Sequence, residues 1–216
     1  REVLQSLTTG SPIPTIMCVF VALATDVMAD PTETVHIENV VASTGIGTEL
    51  ELEQLARDLQ GADYNPENFP GVVYRLQDPK AATLIFRSGK IVCTGAKSID
   101  DVHAACQRVF DDLRALGVDV DDDPEVIVQN IVASADLGDS LNLNAIAIGL
   151  GLENIEYEPE QFPGLVYRID DPKVVALLFG SGKLVITGGK TPSDAKRAVT
   201  VIVERLTELG MAPAPA

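Results

Sequence analysis

The sequence predicts an α+β fold in two pseudo-two-fold halves, each an antiparallel run of strands with helices on one face. Three observations predict it. First, residues 65–98 return as residues 158–191, an offset of 93, with 20 of 34 positions identical. The shared text includes Phe69-Pro-Gly-Val-Val-Tyr-Arg75 against Phe162-Pro-Gly-Leu-Val-Tyr-Arg168. It continues through Ser88-Gly-Lys-Ile-Val-Cys-Thr-Gly-Ala-Lys97 against Ser181-Gly-Lys-Leu-Val-Ile-Thr-Gly-Gly-Lys190. Second, each copy holds consecutive short β-branched runs joined by tight turns, which pair antiparallel. Third, each copy ends in a long, capped amphipathic helix. A pair of units of roughly ninety residues is too long for a solenoid and too few for a propeller. A two-fold body suits a two-fold partner such as duplex DNA.

The elements follow in order. Residues 1–30 belong to neither copy. Ile13 to Ala24 is apolar but only about a dozen residues long, too short to span a bilayer. The segment before it carries one arginine and one glutamate, a poor flank for a signal peptide. Met28-Ala29-Asp30 reads as a natural start, so 1–30 is expected to be a disordered or spurious extension. Repeat one then covers 31–122, repeat two 123–210, and 211–216 is expected to be a frayed tail.

Val35 to Ser43 is β-branched-rich and reads as a strand. Leu50 to Leu59 carries apolar residues at 50, 52, 55, 56 and 59, the spacing of an amphipathic helix. Asn65-Pro66 and Phe69-Pro70-Gly71 punctuate a turn-rich stretch. Val72–Leu76, Ala81–Phe86 and Lys90–Thr94 are strands, the last two joined by the three-residue loop Arg87-Ser88-Gly89. Ser98 caps a helix to about Leu116, with Asp101 placed as in a capping box, and Gly117 stops it. Repeat two follows the same plan, with Thr191 as cap, Pro192 at the first helical position, and Asp194 following. Gly210 ends it.

Composition limits the function. Three cysteines without a CxxC pair argue against a disulfide framework or a zinc site, and no metal or cofactor is expected. Cys93 and Cys106 fall opposite Ile186 and Val199, as buried structural thiols would. The net charge is −16, which ordinarily speaks against nucleic acid. The cations, however, stand in register: Arg75/Arg168, Lys80/Lys173, Lys90/Lys183 and Lys97/Lys190. The acids are heaviest elsewhere, as at Asp111-Asp112 and Asp119 to Asp123. A basic track on an acidic body results, and the acidic excess suits concentrated salt. Counterion release weakens DNA binding in salt, whereas screening of an acidic body strengthens it. Composition does not rank the two.

Side chains two apart on a strand share a face. If Cys93 and Ile186 point to the helices, Val92, Thr94, Val185 and Thr187 point away. Leu84 shares a face with Phe86, and Leu177 with Phe179. Asn39 goes with Val41, and Asn130 with Val132. The uncovered face thus collects Asn, Val, Thr, Leu and Phe in duplicate, with no acid among them. Large exposed apolar patches mark interaction sites. Phe69 and Phe162 lie in Pro-Gly turns at strand ends, where wedges between base steps would sit. An asparagine amide can donate to adenine N3 and thymine O2 in the minor groove, while methyls leave a guanine N2 amine unpaired.

Over about residues 35–210, in both copies, the FPGxVYR and SGKxVxTGxK segments resemble the TATA-box-binding proteins, most similar to archaeal and haloarchaeal members. The resemblance implies a saddle: a curved sheet with helices on its convex face, binding A·T-rich promoter DNA in the minor groove. It implies DNA-intercalating roles for Phe69, Phe86, Phe162 and Phe179. Base contacts fall to Asn39, Val41, Leu84, Val92, Thr94, Asn130, Val132, Leu177, Val185 and Thr187. Backbone contacts fall to Arg75, Ser88, Lys90, Lys97, Arg168, Ser181, Lys183 and Lys190. Glu158 and Glu160 match a loop that in the family docks transcription factor B, with RNA polymerase recruited indirectly. Repeat one has Asn65 where repeat two has Glu158, which gives the body a direction. The implied setting is cytoplasmic, on the nucleoid. Weak self-association off DNA stays open.

Two rivals remain. An enzyme needs a constellation, yet His36 and His103 have no echo in repeat two. Gly188-Gly-Lys-Thr191 lacks the earlier glycine of a phosphate loop, since Leu184 stands there. A protein-binding module could use the same apolar face, and A·T against G·C preference separates the two readings.

Overall fold

The computed structural model describes residues 30–151 and 153–211. The expected extension and tail fall outside these except for Asp30 and Met211. The Asp30 carboxylate accepts from the Thr32 amide at 2.9 Å and opens a 3-10 turn, Pro31–Thr34. Met211 packs on the core of repeat two, and its amide donates to the Leu206 carbonyl at 2.8 Å.

Repeat one runs β1 (His36–Gly45), α1 (Leu52–Asp58), β2 (Ala62–Asp63), β3 (Gly71–Gln77), β4 (Lys80–Phe86), β5 (Lys90–Ala96) and α2 (Ile99–Ala115). Repeat two runs β6 (Ile127–Asp136), α3 (Leu143–Leu150), β7 (Ile155–Glu156), β8 (Gly164–Ile169), β9 (Val174–Phe179), β10 (Lys183–Gly189) and α4 (Pro192–Glu208). The strands form one antiparallel sheet in the order β2-β3-β4-β5-β1-β6-β10-β9-β8-β7. The order is palindromic, so the pseudo-dyad passes between β1 and β6.

The helix expected from Leu50 is shorter, because Glu51 at its N-cap makes no side-chain capping bond and Leu59 is already extended. Leu50 and Leu59 are buried all the same, so their apolar spacing reported packing rather than helix length. The long helices start where expected. Ser98 Oγ accepts from the Asp101 amide at 3.0 Å. In repeat two the box is closed both ways: Thr191 Oγ1 accepts from the Asp194 amide, and the Asp194 carboxylate accepts from the Thr191 amide at 2.9 Å. The three-residue loop between β4 and β5 is closed by the Gly89 amide donating to Phe86 at 2.9 Å, with Gly89 at φ 77°.

α2 lies on β1, β4 and β5, and α4 on β6, β9 and β10. Two cores result, one per repeat, and Ile37 touches both. Alternate strand residues point into them: Val40, Ala42, Ile85, Ile91 and Cys93 in repeat one; Ala133, Ala135, Leu178, Leu184 and Ile186 in repeat two. Cys93 and Cys106 are wholly buried between β5 and α2, and the Cys93 sulfur together with burial pushes the Cys106 thiol up. Both are structural apolar residues, as the counterparts Ile186 and Val199 suggested. The alternation leaves the opposite sheet face without a helix.

Candidate nucleic-acid interface

The open face is organised in cross-strand rows. Val73, Leu84, Val92 and Ser43 are successive register partners across β3, β4, β5 and β1, and Ile127 on β6 completes the row. Val166, Leu177, Val185 and Ser134 do the same across β8, β9, β10 and β6, and His36 on β1 completes it. Between these rows lie Thr187, Val132 and Asn39, consecutive partners across the centre, with Val41 opposite Asn130. Every valine, leucine, threonine and asparagine singled out from the sequence is half-buried here, its side chain sheltered by neighbours and open on one side.

Both asparagines are held identically. Asn39 Oδ1 accepts from the Gly95 amide at 2.7 Å, and its Nδ2 donates to Thr94 Oγ1 at 3.2 Å. Asn130 Oδ1 accepts from the Gly188 amide at 2.7 Å, and its Nδ2 donates to Thr187 Oγ1 at 3.1 Å. The amide accounts for the mid-strand asparagines: β5 and β10 each bend at a positive-φ glycine, Gly95 and Gly188, and the carbonyl oxygen takes the freed amide. One Nδ2 hydrogen per asparagine stays uncommitted, because an amide carries two.

At each end of the face two rings meet. Phe69 and Phe86 have centroids 5.7 Å apart, and Phe162 and Phe179 5.9 Å apart with planes at 66°. Neither pair belongs to a core, and Phe162 is 38% exposed. The turns that present Phe69 and Phe162 close on Asn65 and Glu158, whose carbonyls accept from the two phenylalanine amides at 2.9 and 3.0 Å. Each pair sits over a buried glycine. A Cβ at Gly71 would come within 3.0 Å of Phe69, and one at Gly164 within 2.7 Å of Phe162.

The cations frame the face. Arg75, Lys90, Lys97, Arg168, Lys183 and Lys190 are exposed, as are Ser88, Ser181, Glu158 and Glu160. Two of the cations are already engaged, Arg168 with Glu156 at 2.9 Å and Lys97 with Glu38 at 3.1 Å. Glu38, and Asp136 two residues beyond Ser134 on β6, correct the expectation of an acid-free face. A register irregularity between Ile37 and Asn39 breaks strict alternation in β1. Ile37 turns to the cores, and Glu38 reaches Ser134 Oγ, accepting at 2.8 Å. That hydroxyl, and next the Lys97 ammonium, hold the Glu38 carboxyl below its ordinary range. In the symmetry-related place Gln129 Nε2 donates to Ser43 Oγ at 2.9 Å. Only the repeat-one strand brings a charge to this point.

Val73, Val166, Ser43, Ser134, His36 and Ile127 belong to the face and were not singled out from sequence. Alternation alone reaches the two valines, which stand two before Arg75 and Arg168. Alternation likewise reaches Ser43 and Ser134, two beyond Val41 and Val132; His36 and Ile127, beyond the register irregularities, need the β1–β6 pairing, which joins the repeats. Among the described residues no group of three or more His, Cys, Asp or Glu could hold a metal ion. No helix among them is long and apolar enough to cross a membrane.

The sequence matches the family model described as transcription factor TFIID (or TATA-binding protein, TBP) twice, over residues 34–116 and 125–209. It is similar to the TATA-box-binding protein of Haloarcula marismortui, 75% identical over 184 residues that cover 85% of this chain and 99% of that one. TATA-box-binding protein E of Halobacterium salinarum shows the same identity over the same shares. Among solved structures, Methanococcus jannaschii TBP superposes with a TM-score of 0.73 at 55% identity, covering 81% of this chain and 98% of that chain.

Proposed function

The chain belongs to the TATA-binding protein family, and on that premise we propose that its open sheet face binds A·T-rich promoter duplex in the minor groove as a general transcription factor. Membership sets it among transcription factors rather than enzymes. The observation that carries the reading is the doubled row structure: apolar side chains and two free amide hydrogens, repeated about one dyad and framed by cations.

The chemistry follows from the groove. Its floor in A·T steps offers only the acceptors adenine N3 and thymine O2, and guanine adds an N2 amine. Asn39 and Asn130 each hold one hydrogen for such an acceptor. The methyls of Val41, Val92, Thr94, Val132, Val185 and Thr187, with Leu84 and Leu177, offer nothing to a guanine amine. A G·C pair at the centre therefore loses a hydrogen bond to water without replacement. Phe69 with Phe86, and Phe162 with Phe179, act as apolar wedges that unstack a base step at each end and kink the duplex, a behaviour for which this family is itself the standard example. Arg75, Lys90, Lys97, Arg168, Lys183 and Lys190, with Ser88 and Ser181, hold phosphates, which fix position without reading sequence.

The turn before Phe162 is acidic at Glu158 and Glu160, both exposed, where repeat one has Asn65 and Glu67. That turn docks transcription factor B, through which RNA polymerase is recruited, in the cytoplasm on the nucleoid. The test is a gel shift at high potassium chloride with an A·T-rich octamer and a G·C-rich one. Strong preference for the first is expected. Equal affinity would return the face to a protein-binding role. Energy transfer between dyes on the DNA ends reads the wedges: Phe162→Ala should lengthen the end-to-end distance, and an unchanged distance defeats the wedge.

A further inference from the structure

We propose that His36 is an additional phosphate contact, made on one half of the duplex only and strengthened when its imidazole is protonated. The inference rests on the DNA-binding reading above and deepens it. The two long rows of the face correspond place by place: Val73 with Val166, Leu84 with Leu177, Val92 with Val185, Ser43 with Ser134. They part at the last place, where one ends in Ile127 and the other in His36. Ile127 is 44% exposed, so this end of the row is a surface position and histidine there serves no core. His36 is exposed too. It opens into a recess of about 520 Å³ beside Ser134, Phe179, Ser181 and Lys183. It therefore stands among one wedge ring, one hydroxyl and one ammonium assigned above to the duplex.

The charges near it come from three strands, with Lys97 at the end of a fourth held on one of them. Glu38 lies on its own strand, bound to Lys97 of β5. Asp136 of β6 and Lys183 of β10 line the recess. The Asp136 carboxylate is engaged by the Gly138 amide at 2.9 Å. Two carboxylates and two ammoniums balance, so an arriving phosphate brings the net negative charge that an imidazolium matches. An imidazole changes charge between about pH 5 and 8. A charged ring adds one cation for the phosphate, so affinity is expected to be higher where the ring is charged. Isoleucine at 127 gives the other half no such response, so the grip on the two halves becomes unequal in acid.

The test measures dissociation constants for an A·T-rich octamer duplex and a G·C-rich one at about pH 6 and about pH 8, over a salt series. The proteins are the full chain, His36→Ile and Ile127→His. The parent should bind the A·T duplex about threefold tighter at the lower pH, as for one exposed ion pair. Its salt slope should steepen there by about one counterion. His36→Ile should lose both responses, and Ile127→His should double the pH response. Equal pH profiles for the parent and His36→Ile, with A·T preference intact, overturn this inference alone. A parent without A·T preference at either pH overturns the functional reading and this inference with it.

Discussion

Gly164→Ala displaces the second ring pair without altering either ring. A Cβ there would lie 2.7 Å from Phe162 Cε1, 3.2 Å from Phe162 Cζ and 3.1 Å from Phe179 Cε1. Carbon atoms rest about 3.5–4.0 Å apart, so Phe162 must retreat by roughly 1 Å. The backbone at Gly164 lies outside the left-handed region, so alanine suits it and the whole effect is steric. Phe162 is exposed and can swing outward, which spares the core. What is lost is the edge contact with Phe179, about 0.5–1.5 kcal/mol for such pairs. A stability loss of about 1 kcal/mol lowers Tm by about 2–4 °C in a body of this size. If the pair is a wedge, octamer affinity falls at least about fivefold and the bend relaxes. Gly180→Ala is the control, since its nearest neighbour would be a carbonyl at 3.7 Å. Gly71→Ala should destabilise more, because its Cβ also meets the Ile85 carbonyl at 3.0 Å, which cannot swing away. Calorimetry and dye-labelled DNA read both quantities. The reasoning is refuted if Gly164→Ala and Gly180→Ala behave alike in melting, affinity and bend.

Three further outcomes are expected. Asn130→Asp keeps the acceptor for the Gly188 amide and loses the amide hydrogens; melting should hardly change while octamer affinity drops at least about fivefold, from one lost hydrogen bond. Arg168→Ala breaks an ion pair exposed on both sides, so stability should move by no more than about 0.5 kcal/mol. Its binding should weaken alike on A·T-rich and G·C-rich DNA, with a salt slope smaller by about one. Asp194→Ala should cost about 1 kcal/mol near neutral pH by removing the acceptor for the Thr191 and Lys190 amides. Burial raises the Asp194 carboxyl, but the amide hydrogen bonds of Thr191 and Lys190 outweigh it and hold the group below its ordinary range. Its contribution is therefore present above the unfolded value and is lost as pH falls through the lower folded one. Melts of parent and variant should converge in acid; a gap that persists there would count against the cap.

The doubling made much of the fold legible. Each strand was read twice, and alternation around Cys93 and Ile186 separated core from open face in both copies. The asparagines stood out as residues unsuited to a strand interior, and the amides of Gly95 and Gly188 supply the reason. Glu38 was not legible, because its direction depends on a register irregularity set by the partner strand rather than by its own neighbours. His36 had no echo in repeat two and read only as a failed catalytic residue. Its place on the face follows from Ser134, 98 positions away and in the other repeat. Two-residue strands such as β2 and β7 carry too little pattern to locate.

Those two short strands have a consequence of their own. A long antiparallel ribbon ordinarily offers unpaired amides and carbonyls at both margins, where a stray chain can add itself. Here the ribbon stops at Ala62–Asp63 on one side and Ile155–Glu156 on the other, with an acid in each. Each terminal strand offers a stray chain only two residues and an acid, while the open face stays uncovered for its partner.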